Sequence, residues 1–389
     1  MNNLINRSVL TLIKDWLNKS KVIIIYGARQ VGKTTISKQL IAEQGEDKCK
    51  YFNCEVVANR KVFESDNLLE IVNNFDGKKF IVVDEAQKVK NIGSILKQLH
   101  DEYPDIQIIA TGSSSFELGN KLNEPLTGRN IKYTVYPLSV KEISQVYGYT
   151  QIGEKLESLL RFGSYPGVFD NTDQQCKDLL DVMANDYLYR DVLVLENIKK
   201  PALLEKLLSA LAFQIGNEVN YNELAKLLGT TPPTVERYVD LLEKSFVIYR
   251  LRSFSRNSRN ELKKGFKVYF YDLGIRNSLI QAYNPIEFRN DIGALFENFC
   301  VMERVKQIQS KKEGGNLYFW RSYLPDKEID FVEERNGKLF AFEFKWNSKA
   351  SGNARLPKNF FESYGSGENE GNVEFRVIDN ENWRQWLLN

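Results

Sequence analysis

The chain has 389 residues, 42% of them hydrophobic, with 53 Lys and Arg against 51 Asp and Glu for a formal net charge of +2. That length exceeds one ordinary core and predicts several domains of about 100–200 residues, while near-neutrality confines any nucleic-acid surface to a local patch. A single histidine, His100, and four cysteines, Cys49, Cys54, Cys176 and Cys300, without a C-x-x-C pair exclude Ser-His-Asp triads, multi-His metal centres, zinc sites and a disulfide framework. Hydrolytic chemistry is left to carboxylates, lysine and a hard metal ion, and the cysteines read as buried, reduced thiols.

No apolar run approaches the roughly 20 residues that cross a bilayer, so no membrane span is expected. At the N-terminus Leu4, Ile5, Val9, Leu10, Ile13 and Trp16 recur at helical intervals without a signal peptide's basic start and cleavage site. This predicts an amphipathic helix and a cytoplasmic protein. Residues 21–26, KVIIIY, read as a strand buried on both faces. Gly27-Ala28-Arg29-Gln30-Val31-Gly32-Lys33-Thr34 follows at once, a complete G-x-x-x-x-G-K-T with Thr35 next in the same helical turn. Glycines let such a backbone close around phosphates, and first-turn amides point at the anion. Lys33 is expected to neutralise the β and γ phosphates of ATP, and Thr34 to give its hydroxyl to Mg²⁺.

Residues 80–83 form a second buried strand ending in Asp84-Glu85. Ligands of open α/β sheets sit at the carboxyl ends of strands, which puts these acids on a neighbouring strand's tip beside the phosphates. Asp84 is assigned to Mg²⁺, usually through a water, and Glu85 to orienting and polarising the attacking water. A third strand at 106–110 ends in Thr111-Gly112-Ser113, where Ser113 either senses the γ-phosphate or serves a turn.

GARQVGKTT, VVDEAQ, ATGSSSFEL and LTGRNIKY followed by YPLS resemble, in order and spacing, AAA-type ATPases of bacteria and archaea that carry a C-terminal endonuclease-like domain of unknown function. The resemblance implies a sensor at the Thr-Gly-Ser segment and places Arg129 of the L-x-G-R stretch close to the nucleotide of its own or a neighbouring subunit, so an oligomer is possible; surface pairing is the plain alternative for Arg129.

Residues 141–200 are mostly helical, broken by a loop at Phe162-Gly163-Ser164-Tyr165-Pro166-Gly167 that suits a lid or connector. A helix over 201–215, a second ending at Gly229, and a third opened by Thr231 with proline in its first turn make a helix-turn-helix. Strands at 246–251 and 267–271 are expected as its wing. Arg250, Arg252, Arg256, Arg259, Lys263, Lys264, Lys267 and Arg276 lie between and beside them, opposed only by Glu261 and Asp272, enough to meet several phosphates of double-stranded DNA. Such modules also act purely as protein-protein joints, and Glu236 and Asp240 on the reading helix weaken the DNA assignment.

Residues 328–335 and 338–346 alternate as two strands around Asn336-Gly337, the strongest short hairpin signal. A tight turn sets Arg335 opposite Lys338, Phe331 opposite Phe342 and Asp330 opposite Glu343, with Lys345 on the face of Glu343 and Ile329 and Phe331 on the other. Opposed carboxylates repel and a divalent cation reverses that sign. With Glu297 on a preceding helix, the arrangement resembles the PD-(D/E)-x-K core of restriction-type nucleases, in which the helix acid, the hairpin Asp and the Glu bind metal and the lysine positions water or steadies negative charge. No proline precedes Asp330, a departure from the nuclease signature, so the motifs support the fold more firmly than cleavage.

The expected architecture is α/β: a P-loop NTPase domain with a parallel sheet and helices on both faces (1–145), a helical lid or connector (146–200), a winged helix-turn-helix (201–285) and a restriction-endonuclease-like α/β domain (286–389). The expected activity is Mg²⁺-dependent ATP hydrolysis in contact with DNA, with metal-dependent cleavage of that DNA through Asp330, Glu343 and Lys345 left open. A nucleotide-operated switch that docks a protein partner is the alternative.

Overall fold

The computed structural model describes residues 5–113, 126–188, 201–255, 265–311, 314–323, 326–352, 354–365 and 372–388. Helix α1 (Ser8–Lys14) precedes strand β1 (Val22–Tyr26), the phosphate-loop motif and helix α2 (Lys33–Gln44). Strands β2 (Cys49–Asn53), β3 (Phe80–Asp84), β4 (Gln107–Gly112) and β5 (Asn130–Thr134) complete a five-stranded parallel sheet in the order β2-β3-β4-β1-β5. Helix α3 (Ile92–Glu102) lies between β3 and β4 in the chain. Ile23, Ile25, Val82 and Ile109 pack into one core, and Val22, Ile24, Ile81, Val83, Ile108 and Ala110 into another. Alternate residues thus feed two cores, and strands buried on both faces read as unbroken apolar runs.

Contrary to expectation, the two motif strands are not adjacent. β4 lies between β1 and β3, so the Thr111-Gly112 tip stands beside the phosphate loop and the acids stand one strand further out. Strand composition does not encode this crossover.

Helix α4 (Val140–Glu154) opens with a capping box between Ser139 and Glu142. Helices α5 (Pro201–Phe213), α6 (Tyr221–Leu228) and α7 (Pro232–Lys244) follow. Asn220 caps α6 by accepting from the Asn222 and Glu223 amides, and Gly229 ends it at φ 62°. Thr231 occupies the N-cap position of α7, but its hydroxyl meets that of Thr234 (2.9 Å) instead of a backbone amide.

Strands β6 (Glu218–Val219), β7 (Ile248–Ser253) and β8 (Phe266–Phe270) do not form a free-standing wing. β7 pairs antiparallel with β8, while its other edge pairs parallel with β9 (Asn316–Tyr323), Arg252 opposite Tyr318. With β10 (Asp326–Arg335), β11 (Lys338–Lys345) and β12 (Val373–Asp379), the result is one seven-stranded sheet in the order β12-β11-β10-β9-β7-β8-β6. Helices α8 (Leu273–Leu279) and α9 (Ile292–Lys311) connect its two parts.

The β10–β11 hairpin has the predicted register, Phe331 opposite Phe342 and Arg335 opposite Lys338. Asn336 and Gly337 take φ 50° and 75°, the two left-handed residues that match a tight turn to strand twist. A bulge between Ile329 and Val332 against β9 changes the outer face. It sends Ile329 to the cluster of Trp320, Val332 and Phe360, away from Phe331, Phe342 and Phe344 with which alternation had grouped it.

Candidate active site

Gly27 has φ 154°, and a Cβ there would lie 2.1 Å from the Val135 carbonyl oxygen. Only glycine permits this approach. Gln30 and Gly32 add further left-handed positions, and the loop runs into α2 at Lys33. Lys33 is buried, with its ammonium donating to the Gly27 and Ala28 carbonyls (3.0 and 2.6 Å). Thr34 Oγ1 donates to Asp84 Oδ2 (2.9 Å). Tyr51 donates to the same oxygen and Thr111 to Oδ1, so Asp84 is fixed from two neighbouring strands and one helix. A hydroxyl and an oriented carboxylate are the hard oxygen donors that Mg²⁺ prefers, and Thr34 with Asp84 fits that ion.

Glu85 holds a left-handed backbone, φ 53°, at the end of β3, and its amide donates to Thr111 Oγ1 (3.2 Å). Such backbone strain in a non-glycine residue concentrates at functional sites. Burial pushes the Glu85 carboxyl above its ordinary value, against the opposing pull of Lys33 and the hydrogen bond from Gln87. Gln87 Nε2 bonds both Glu85 and Ser113 Oγ (3.0 Å to the latter), joining the two across β3 and β4. Residues 114–118 of the sensor segment lie outside the described residues.

Arg129 is placed elsewhere. It precedes β5, whose Asn130 pairs with Val22 at the start of β1, at the opposite end of the sheet from the phosphate loop. Five strand residues separate it from that end, about 16 Å at 3.3 Å each. Its guanidinium bonds Asp101 (2.7 Å), and that bond together with His100 holds the Asp101 carboxyl at about 2. Arg129 therefore does not approach the nucleotide of its own chain.

Sequence motifs did not flag Arg7. It is 9% exposed, and its guanidinium donates to the Val31 carbonyl inside the phosphate loop, to the Tyr136 carbonyl and to Glu142 Oε1 (3.2 Å). In a planar trans peptide the carbonyl and the next amide point in opposite directions. Holding the Val31 carbonyl outward thus holds the Gly32 N–H toward the cradle. Glu142 is bound in turn by the Ser8 and Ser139 amides (2.7 and 2.9 Å). Next to the loop a cleft of about 540 Å³ is lined by Ile5, Thr35, Tyr147, Pro166 and Phe169, the last three from the expected connector. Tyr147 and Phe169 meet edge to face at 5.8 Å.

The C-terminal acids also converge. Glu297 on α9 accepts from Tyr269 (2.7 Å) and Lys267 (3.1 Å), Asp330 accepts from the Phe344 amide (2.8 Å), and Glu343 pairs with Lys345 (2.6 Å). Lys267 was expected on a DNA-facing wing and is instead 2% exposed among these carboxylates. Arg250 is tied to Asp240 (2.7 Å) and Glu243, and buried Arg276 to Asp291 (2.6 Å). Arg252 is exposed, and Arg256, Arg259, Lys263 and Lys264 lie outside the described residues.

Residues 19–144 match the AAA domain family, 153–285 a domain of unknown function (DUF8612) and 292–381 a second one (DUF4143). The N-terminal unit is thus similar to AAA domains. An uncharacterized protein of Methanocaldococcus jannaschii is 26% identical over 80% of this chain and 72% of its own length. One of Haemophilus influenzae is 24% identical over 85% of this chain and 84% of its own. The solved structure of AMPPCP-bound DnaA from Aquifex aeolicus is 14% identical and aligns over 61% of this chain and 86% of that one, at a TM-score of 0.29 too low to bear on function. Among the described residues no helix is long and apolar enough to cross a membrane.

Proposed function

We propose that the chain binds ATP with Mg²⁺ and hydrolyses it, and that it works as a nucleotide-operated switch whose C-terminal sheet docks a protein partner. The observation that carries the first part is the convergence of Lys33, Thr34, Asp84, Glu85 and Ser113 at one end of the parallel sheet. Lys33 would release its hold on the loop carbonyls and neutralise phosphate oxygens. Mg²⁺, held by Thr34 and Asp84, would offset charge on the β and γ phosphates. Glu85 would orient water and draw its proton, and Ser113, linked through Gln87, would register the γ-phosphate. The base would rest in the cleft between α2 and the connector, against Tyr147 and Phe169.

Helix α9 supports the switch. Its Glu303 accepts from the Val140 amide (2.7 Å), and its Lys306 donates to the Leu138 carbonyl (3.0 Å). These contacts fall beside Tyr136 and Glu142, the residues that hold Arg7 against the phosphate loop. A change in the loop thus has a short bonded route to the helix that carries Glu297.

A second reading, engagement of duplex DNA, is favoured by the α6–Gly229–α7 helix-turn-helix and exposed Arg237 and Arg252. The ATPase rate with and without duplex DNA, with Lys33→Ala and Glu85→Gln as inactive controls, tests both. Hydrolysis absent from the wild type overturns the ATPase; salt-sensitive stimulation by DNA favours the second reading, and indifference favours the protein-docking switch.

A further inference from the structure

We propose that the acidic cluster at the base of the β10–β11 hairpin is held together by a lysine: Lys267, delivered by β8, takes the place of the divalent cation of the nuclease core that this segment resembles, and the cluster binds no metal. The Lys267 ammonium lies 3.1 Å from Glu297 Oε1 and 3.8 Å from Asp330 Oδ1, and it is paired with Glu328 Oε1. The acids have further internal partners: Tyr269 donates to Glu297, the Phe344 amide to Asp330 and Lys345 to Glu343, and Arg321 forms an ion pair with Glu328 (3.6 Å).

The lysine cannot easily leave. The side chain is 2% exposed, and stranding a buried ammonium or its carboxylates strongly destabilises a fold. Mg²⁺ needs carboxylate oxygens at about 2.0–2.1 Å and Ca²⁺ at about 2.3–2.6 Å, and here an ammonium already holds them. Among the described residues no group of three or more His, Cys, Asp or Glu side chains is arranged to hold a metal ion. Lys267 also lies outside residues 292–381, so the C-terminal match by itself lacks this cation.

This inference is independent of the nucleotide site and is tested without nucleotide. Mn²⁺ is titrated into the full chain and free ion read by electron paramagnetic resonance. Wild type and Asp330→Asn should bind the same number of ions. Lys267→Met should gain one ion per chain, lose it again in Lys267→Met/Asp330→Asn, and show a melting temperature that rises with Mn²⁺ while the wild-type value stays put. An ion bound by wild type and lost in Asp330→Asn overturns the proposal, as does a folded Lys267→Met that gains none. If Lys267→Met does not fold, the comparison of wild type with Asp330→Asn decides alone.

Discussion

Arg7→Ala separates positioning from anchoring. The substitution removes the guanidinium from the Val31 carbonyl, the Tyr136 carbonyl and Glu142, in a site where the side chain is 9% exposed. Glu142 keeps its bonds from the Ser8 and Ser139 amides, so it is not stranded. The Val31 carbonyl loses the hold that fixes the next peptide. A hydrogen bond to a charged group contributes about 1.5–3 kcal/mol. If that tether serves to aim the Gly32 amide at phosphate, its loss weakens ATP binding about 10- to 150-fold. The assay is calorimetric titration with ATP and with adenosine, which lacks phosphate, alongside the melting temperature. ATP affinity should fall, adenosine affinity should stay constant, and millimolar guanidinium should restore part of the loss by refilling the space. A lower melting temperature with unchanged ATP affinity would refute the reasoning and leave Arg7 as an anchor for α1.

Gly27→Ala forces a Cβ to 2.1 Å from Val135 O; the loop must shift, and nucleotide binding, followed by fluorescent ADP, should vanish. Glu85→Gln keeps the shape and the bond to Gln87 while removing the base, so ATP should still bind while single-turnover hydrolysis slows about 100-fold or more. Because burial raises the Glu85 carboxyl and hydrolysis requires its ionised form, kcat should be lost as pH falls through a midpoint above 4.5. At Asp291, burial pushes the carboxyl up, but Arg289 and Arg276 more than offset it and hold it at about 2 instead of 3.8. A depressed carboxyl stabilises above its unfolded value and loses that contribution as pH falls toward the folded one. Asp291→Asn should therefore lower the melting temperature at pH 7 and converge on wild type near pH 2.

How much the sequence discloses depends on how far apart the cooperating residues lie. The phosphate loop is legible because Gly27 through Thr34 form a contiguous cradle, and the hairpin because Asn336-Gly337 fixes every pair outward from the turn. The insertion of β4 between β1 and β3 is not, since strands buried on both faces carry no mark of their neighbours. Nor is the β7–β9 pairing, which joins Arg252 to Tyr318 and turns an expected wing into the middle of a sheet. Basic residues next to one another in sequence suggest a DNA patch, yet Arg250, Lys267 and Arg276 each turn toward acids of the fold itself. Arg7 meets Glu142 across 135 residues, a distance no local pattern spans.

The central claim is that the turn from Gly27 to Thr34, with Asp84 against Thr34, is a working nucleotide site. Titrating purified wild type and Lys33→Ala with ATP, with and without Mg²⁺, addresses it most directly. The account predicts saturable, Mg²⁺-strengthened binding to wild type that Lys33→Ala largely abolishes; a folded wild type without measurable affinity for ATP or ADP contradicts it.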